Sequence, residues 1–139
     1  MSVRAFLDTN LFVYLHSSTD TLKKEQVASA IGQYERYVST QVLNEFSNVC
    51  IRKLGMSISD IEKAVLEICE TCNLIVVDEE TVLAALVLHE KYGYSFYDCL
   101  MIASALESGC NYLLTEDMAD GQTINDSLTI TNIFLDKAH

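Results

Sequence analysis

Proline is absent from this chain of 139 residues, glycine occurs five times, and no stretch is rich in glycine and serine. Because these residues mark turns and linkers, we find no candidate linker and predict a single domain over residues 1–139. Five glycines are too few for a β-sandwich with many tight turns. Half of the residues are hydrophobic, which indicates a globular protein with a substantial core rather than a disordered one.

Long apolar runs are also missing, so we expect no membrane-spanning segment. The first residues do not combine a basic segment with a long apolar one, and we expect no signal peptide. The five cysteines are an odd number and are scattered, which favours reduced thiols in the cytoplasm over a disulfide framework. Cys69 and Cys72 form a lone C-x-x-C at the end of a predicted helix, where a packing role is expected.

Basic residues are scarce, with nine Lys and Arg against twenty Asp and Glu, and the formal net charge is −11. This balance argues against broad electrostatic capture of nucleic acid, which needs many cations to neutralise phosphate. It does not exclude a nuclease whose metal ions supply positive charge locally. It also suits a protein that pairs with a basic partner.

Short apolar segments alternate with pairs of amphipathic segments along the chain. The predicted strands cover residues 3–7, 37–39, 73–77, 112–115 and 129–131. Segment 73–77 lacks alternation, which indicates burial on both faces, and segment 129–131 is expected to be a final edge strand. Asn10 or Thr9 is expected to cap the first helix, and Ser57 or Ser59 the fourth. This order predicts an α/β fold, a three-layer α/β/α sandwich with a mainly parallel central sheet.

Four carboxylates occupy related places in this pattern. Asp8 follows the first strand, Glu45 borders the apolar stripe of the helix after the second, Asp98 lies in the first turn of the helix before the fourth, and Asp117 follows the fourth. The carboxyl ends of parallel strands share one edge of the sheet, where ligands bind. Crowded carboxylates repel one another, and a hard divalent cation removes the repulsion. The pattern predicts a metal-dependent enzyme acting on phosphodiesters.

Each acid alone has an ordinary structural interpretation. Asp8 and Asp117 are typical of turns, Asp98 forms a capping box with Ser95, and Glu45 can reach solvent along its own stem. Glu79, like its neighbour Glu80, also follows a predicted strand, so position alone does not select the site. Only the four acids together indicate a metal site.

Four segments in order make the chain similar to a known family. They are residues 6–10 (Phe-Leu-Asp-Thr-Asn), 42–46 (Val-Leu-Asn-Glu-Phe), 94–106 and 113–122. The chain resembles the PIN-domain ribonucleases of the VapC-type toxin group over nearly its whole length. The resemblance implies an endoribonuclease that hydrolyses RNA phosphodiester bonds with metal-activated water. It also implies a small antitoxin protein as partner and a homodimer. The alternative is a PIN-like binding module that forms complexes with protein or RNA and cleaves little or not at all.

The resemblance also implies roles for single residues. One or two Mg²⁺ or Mn²⁺ ions would be bound by Asp8, Glu45, Asp98 and Asp117. Asp120 is then a further or outer metal ligand, Asn10 orients the first Asp, and the Thr115 hydroxyl lies near the metal. Candidate contacts to RNA phosphates are Arg52 and Lys53, with Arg36 and Lys91 as further basic residues.

Overall fold

The computed structural model describes residues 2–135. Met1 and residues 136–139 lie outside this range, and a single domain over residues 1–139 stays a prediction. The strands in the described range are Arg4–Leu7 (β1), Glu35–Ser39 (β2), Asn73–Ile75 (β3), Tyr112–Leu114 (β4), Thr123–Ile124 (β5) and Leu128–Thr131 (β6). The helices are Thr9–His16 (α1), Thr21–Ile31 (α2), Thr40–Arg52 (α3), Ile58–Thr71 (α4), Glu79–Tyr92 (α5) and Phe96–Glu107 (α6).

The strands form one sheet in the order β3-β2-β1-β4-β6-β5. Every neighbouring pair is parallel except β5 and β6, which are antiparallel. Strand β1 is central, and Phe6 lies opposite Tyr37 of β2 on one side and Leu113 of β4 on the other. Ala5, Phe6 and Leu7 are fully buried because helices flank the sheet. The predicted α/β fold with a mainly parallel central sheet is confirmed.

Two expectations for the strands are wrong. β3 is an edge strand rather than a strand buried on both faces, and Leu74 on it is 41% exposed. A run without alternation indicates full burial only where both faces are covered, and β3 lies at the end of the sheet. β6 is not an edge strand, because the two-residue β5 pairs with it and takes that place. Such a short strand leaves no periodic signal in the sequence.

The helix starts differ from expectation in one important detail. Asp8 caps α1, because its side chain accepts the backbone N–H of Thr9, so neither Asn10 nor Thr9 is the cap. Ser57 rather than Ser59 caps α4 through the N–H of Asp60. None of the helices within residues 2–135 is long and apolar enough to cross a bilayer.

Candidate active site

Four acidic side chains meet in one cleft at the carboxyl edge of the sheet. The cleft has a volume of about 300 Å³. Asp8 lies between β1 and α1, Glu45 on α3, Asp98 in the first turn of α6, and Asp117 in the loop after β4. The sequence placed these residues on four separate elements, and the parallel sheet brings the four elements together.

Asp8 is the most buried of the four, with 7% of its surface exposed. Its Oδ1 accepts the N–H of Thr9 at 2.6 Å, and its Oδ2 accepts the hydroxyl of Thr115 at 2.6 Å. Burial raises the pKa of Asp8 to about 6, against the opposing effect of these two hydrogen bonds. The negative charges of Asp117 and Glu45 raise it further. The ionised carboxylate is therefore short of compensating positive charge.

Glu45 is held by two side chains that the sequence did not single out. The Thr9 hydroxyl donates to Glu45 Oε1 at 2.6 Å, and Gln41 Nε2 donates to Glu45 Oε2 at 3.2 Å. Gln41 Nε2 also donates to the carbonyl of Tyr97 at 3.0 Å, which ties α3 to the first turn of α6 beside Asp98. Two acceptors fix the direction of the amide. Gln41 Oε1 is buried and has no hydrogen-bond partner among the described residues.

Asp98 and Asp117 form the more open side of the cleft. Ser95 caps α6 by accepting the N–H of Asp98 at 3.2 Å. Burial raises the pKa of Asp98, with smaller contributions from the charges of Asp117 and Glu45. Asn10 Nδ2 donates to Asp117 Oδ2 at 3.2 Å. The expected contact between Asn10 and the first Asp is thus not the one the structure shows, since Thr9 and Thr115 hold Asp8.

The chemistry of the side chains suits a hard divalent cation. Carboxylate and amide oxygens line the cleft, and no Lys, Arg or His is among its lining residues in the part of the chain that the structure describes. Within residues 2–135, however, no three His, Cys, Asp or Glu side chains are already arranged as a metal ligand set. Mutual repulsion keeps charged carboxylates apart, so their oxygens would converge only around a bound ion.

Asp120 is not brought to the cleft. Its Oδ1 accepts the backbone N–H of Asn132, beyond the end of β6, at 2.7 Å. Its assignment as a metal ligand stays a prediction. Glu116, which precedes Asp117 in the chain, also turns away from the cleft and binds Lys23.

Two of the four candidate basic residues lie beside the cleft. Arg52 and Lys53 line an adjacent depression of about 460 Å³ together with Asn48 and Val49, which also line the acidic cleft. The other two are engaged elsewhere. Arg36 donates to the carbonyls of Ile31 and Thr71, and Lys91 donates to Asn125.

Sequence reasoning missed several residues that line the cleft or hold its acids. They are Thr9, Gln41, Asn48, Tyr97 and Met101. Helical spacing would have indicated three of them, because Gln41 precedes Glu45 by one turn, Asn48 follows it by three residues, and Met101 follows Asp98 by three residues. Spacing offers no such signal for Thr9, whose partner Glu45 is 36 residues away.

Comparison with known proteins gives one family and a set of similar folds. The family model of the PIN domain matches residues 5–119. A toxin–antitoxin complex from Klebsiella pneumoniae superposes with a TM-score of 0.71 at 17% identity, covering 94% of this chain and 98% of that one. No curated protein sequence matches the chain.

Two further solved structures are similar in the same way. VapC20 of Mycobacterium tuberculosis, described as a toxin that cleaves the sarcin–ricin loop, gives a TM-score of 0.64 at 20% identity, covering 78% of this chain and 86% of that one. VapBC2 from Rickettsia felis, bound to a DNA fragment from its promoter, gives 0.64 at 15%, covering 94% and 100%. At these identities the superpositions establish the shared fold.

Proposed function

Because the chain belongs to the PIN domain family, whose model matches residues 5–119, we propose that it is a metal-dependent endoribonuclease and the toxin of a toxin–antitoxin pair. The observation that carries the proposal is the convergence of Asp8, Glu45, Asp98 and Asp117 in a cleft whose described lining holds no basic side chain. An uncompensated acidic cluster at the carboxyl edge of a parallel sheet is suited to a divalent cation.

The four carboxylates would hold one or two Mg²⁺ or Mn²⁺ ions. A bound divalent ion supplies charge neutralisation for a scissile phosphate and makes a water molecule more acidic. The chain's own side chains orient the ligands: Thr115 holds Asp8, Thr9 and Gln41 hold Glu45, and Asn10 holds Asp117. Such fixed outer contacts keep the carboxylates in place. Asp120 would act only from outside this group, if the Asn132 contact is retained.

Arg52 and Lys53 give the RNA backbone a place to bind. Glu45, Asn48, Val49 and Arg52 are spaced by three, four and seven residues, so they share one face of α3. An RNA strand whose scissile phosphate lies in the acidic cleft would follow this face of α3 toward Arg52 and Lys53. With a net charge of −11, attraction of RNA must be local rather than spread over the protein.

A cytoplasmic toxin of this kind needs a protein that blocks it, and the structures of similar fold include toxin–antitoxin complexes. We propose a small antitoxin that inserts an Arg or Lys toward the cleft acids. A basic side chain would pair there with carboxylates that otherwise hold metal. We further propose that the toxin is a homodimer.

A cleavage assay tests the enzyme against the alternative of a binding module. Purified protein is incubated with a labelled single-stranded RNA in Mn²⁺ or in EDTA. We expect internal cleavage in Mn²⁺, none in EDTA, and none with Asp8→Asn in Mn²⁺. RNA binding without cleavage under all three conditions would contradict the enzyme and support the binding module.

A further inference from the structure

A second polar cluster lies on the opposite side of the loop that carries Asp117. Glu116 directs its side chain away from the cleft, toward α1 and α2. Lys23 Nζ donates to Glu116 Oε2 at 3.0 Å and to the hydroxyl oxygen of Tyr14 at 3.1 Å, and the Tyr14 hydroxyl donates to Glu116 Oε1. We call these three residues the Glu116 anchor. Each of its members contacts both of the others.

The Glu116 anchor is partly shielded from solvent. The side chain of Glu116 is 19% exposed and that of Lys23 is 33% exposed. Lys23 Nζ lies 4.6 Å from the ring centre of Tyr14 and 4.8 Å from that of Phe134, which covers it from the segment after β6. The hydrogen bonds with Tyr14 and Glu116 raise the pKa of Lys23, so its ammonium stays charged. Charge-assisted hydrogen bonds of this kind hold a definite geometry.

Helix α1 binds the side chains of two consecutive acids, Glu116 and Asp117, which point in opposite directions. Asn10 and Tyr14 are one turn apart on α1; Asn10 binds Asp117 on the cleft side and Tyr14 binds Glu116 on the far side. The adjoining residue is also fixed, because the Thr115 hydroxyl donates to Asp8 and accepts the N–H of Asp117 at 3.2 Å. Asp117 is itself exposed, so its direction depends on how the loop is held.

We propose that Lys23 is a positioning residue for the metal site, which holds Glu116 against α1 and α2 and thereby directs the carboxylate of Asp117 into the cleft. The inference rests on the proposed metal-dependent function. Lys23 lies on α2, whose residues do not line the cleft, and within residues 2–135 it forms no hydrogen bond or ion pair with a cleft-lining residue. Its effect on metal binding therefore passes through its two partners, Glu116 beside Asp117 and Tyr14 on the helix that carries Asn10.

Long-range electrostatics gives the opposite prediction for the loss of Lys23. The direction of the change in metal affinity therefore distinguishes positioning from a bulk charge effect. Removing a lysine from a chain of net charge −11 makes the protein more negative and should strengthen the binding of a cation. Releasing the Glu116 anchor should weaken it, since loss of a residue that orients a metal ligand typically costs about 10–100-fold in metal affinity. A weaker Mn²⁺ affinity after loss of Lys23 can thus not be a bulk charge effect.

The experiment measures Mn²⁺ affinity of the full-length protein by calorimetric or spin-resonance titration. Lys23→Met should weaken Mn²⁺ binding by about tenfold or more, whereas Lys23→Arg, which keeps a cation at this place, should bind within a few-fold of the wild type. The matched control is Lys24→Met, which makes the same charge change at the next, exposed position of α2. It should leave Mn²⁺ affinity unchanged or slightly higher.

A second variant covers the case in which Lys23→Met does not fold. Tyr14→Phe removes one hydroxyl donor to Glu116 without changing charge, and it should also weaken Mn²⁺ binding. RNA cleavage by either variant should recover as Mn²⁺ concentration is raised; that both variants are folded is checked in EDTA, because Mn²⁺ itself stabilises the folded protein. Wild-type affinity in folded Lys23→Met or Tyr14→Phe would overturn the inference while the proposed function stands. Absence of Mn²⁺ binding by the wild type would overturn both.

Discussion

Thr115 and Asp8 are joined by a 2.6 Å hydrogen bond between the ends of two neighbouring parallel strands, β4 and β1. The Thr115 hydroxyl donates to Asp8 and at the same time accepts the N–H of Asp117. One buried hydroxyl therefore links two of the four acids of the cleft. Since β1 and β4 are held in register by the sheet, the sheet edge fixes the place of this hydrogen bond.

Asp98→Asn should abolish RNA cleavage and leave the protein folded. The change removes one of the four carboxylates but keeps the N–H that binds Ser95, so only the helix-dipole contribution of the charge, about 0.3–1 kcal/mol, is lost from α6. Less repulsion in the metal-free cleft offsets part of that loss. We expect kcat/KM to fall below detection with a labelled RNA in Mn²⁺, since losing a direct metal ligand costs more than the roughly 10–100-fold that losing an outer contact costs.

The chain offers a matched control for this variant. Asp60 occupies the same position in α4, where its N–H binds Ser57 at 3.1 Å, and its side chain is exposed away from the cleft lining. Asp60→Asn should lose the same helix-dipole contribution and cleave like the wild type. If Asp98→Asn cleaved as fast as Asp60→Asn, Asp98 would be only a helix residue.

The contribution of Asp8 to the unfolding free energy of the metal-free protein should fall as pH rises from about 4 to about 6. The pKa of Asp8 is raised from 3.8 to about 6 in the folded state, so folding favours the protonated form. Its contribution is fully stabilising below about 4 and is lost between about 4 and 6, which corresponds to ~3 kcal/mol of unfolding free energy. The raised pKa of Asp98 acts in the same direction.

Urea unfolding in EDTA at pH 4.0 and 7.0 measures this effect. Asp8→Asn should reduce the loss of unfolding free energy between the two pH values by about 2–3 kcal/mol relative to the wild type. Saturating Mn²⁺ should reverse the trend, because the ion binds the ionised carboxylates. Equal pH dependence of the unfolding free energy in the wild type and Asp8→Asn would contradict the assignment of Asp8 as the buried acid with a raised pKa.

The sequence was enough to predict those features that depend on local or repeated patterns, such as the parallel sheet and the place of each acid on its element. The positions of Asp8, Glu45, Asp98 and Asp117 on their elements were enough to predict one shared edge, since parallel strands impose it. The partner of Asn10 was not predictable, because its side chain could reach either Asp8 or Asp117 depending on how the loop after β4 returns to α1. Such pairings are set by tertiary geometry, which spacing along the chain does not contain.

Arg52→Gln and Lys53→Gln should each weaken RNA binding and flatten its salt dependence. A contact to one phosphate of a single strand contributes about 0.7 to the slope of log K against log salt concentration. Binding is measured by fluorescence titration in the Asp98→Asn background, in which we expect no cleavage. Lys91→Gln is the control of equal charge, because Lys91 binds Asn125 away from the cleft. Equal slopes in the three variants would show that neither cation beside the cleft contacts RNA.

Expression of the chain alone should arrest growth, and coexpression with its antitoxin should relieve the arrest. The Asp98→Asn variant should be harmless. Harmless expression of a protein that cleaves RNA in vitro would contradict the assignment as a toxin and leave the assignment as a nuclease intact.

Light scattering tests the homodimer separately. It should give about twice the chain mass of 15.6 kDa at micromolar concentration. A mass of one chain would contradict the dimer.

The most direct test of the central claim is the effect of Mn²⁺ on thermal unfolding of the wild type and of Asp8→Asn. An ion present at 100 times its dissociation constant stabilises the folded state by about 2.7 kcal/mol, which raises the Tm by several degrees. We predict this increase for the wild type and for Asp60→Asn when EDTA is replaced by Mn²⁺, and little or none for Asp8→Asn. Identical melting curves of the wild type in EDTA and in Mn²⁺ would contradict a metal site built from Asp8, Glu45, Asp98 and Asp117.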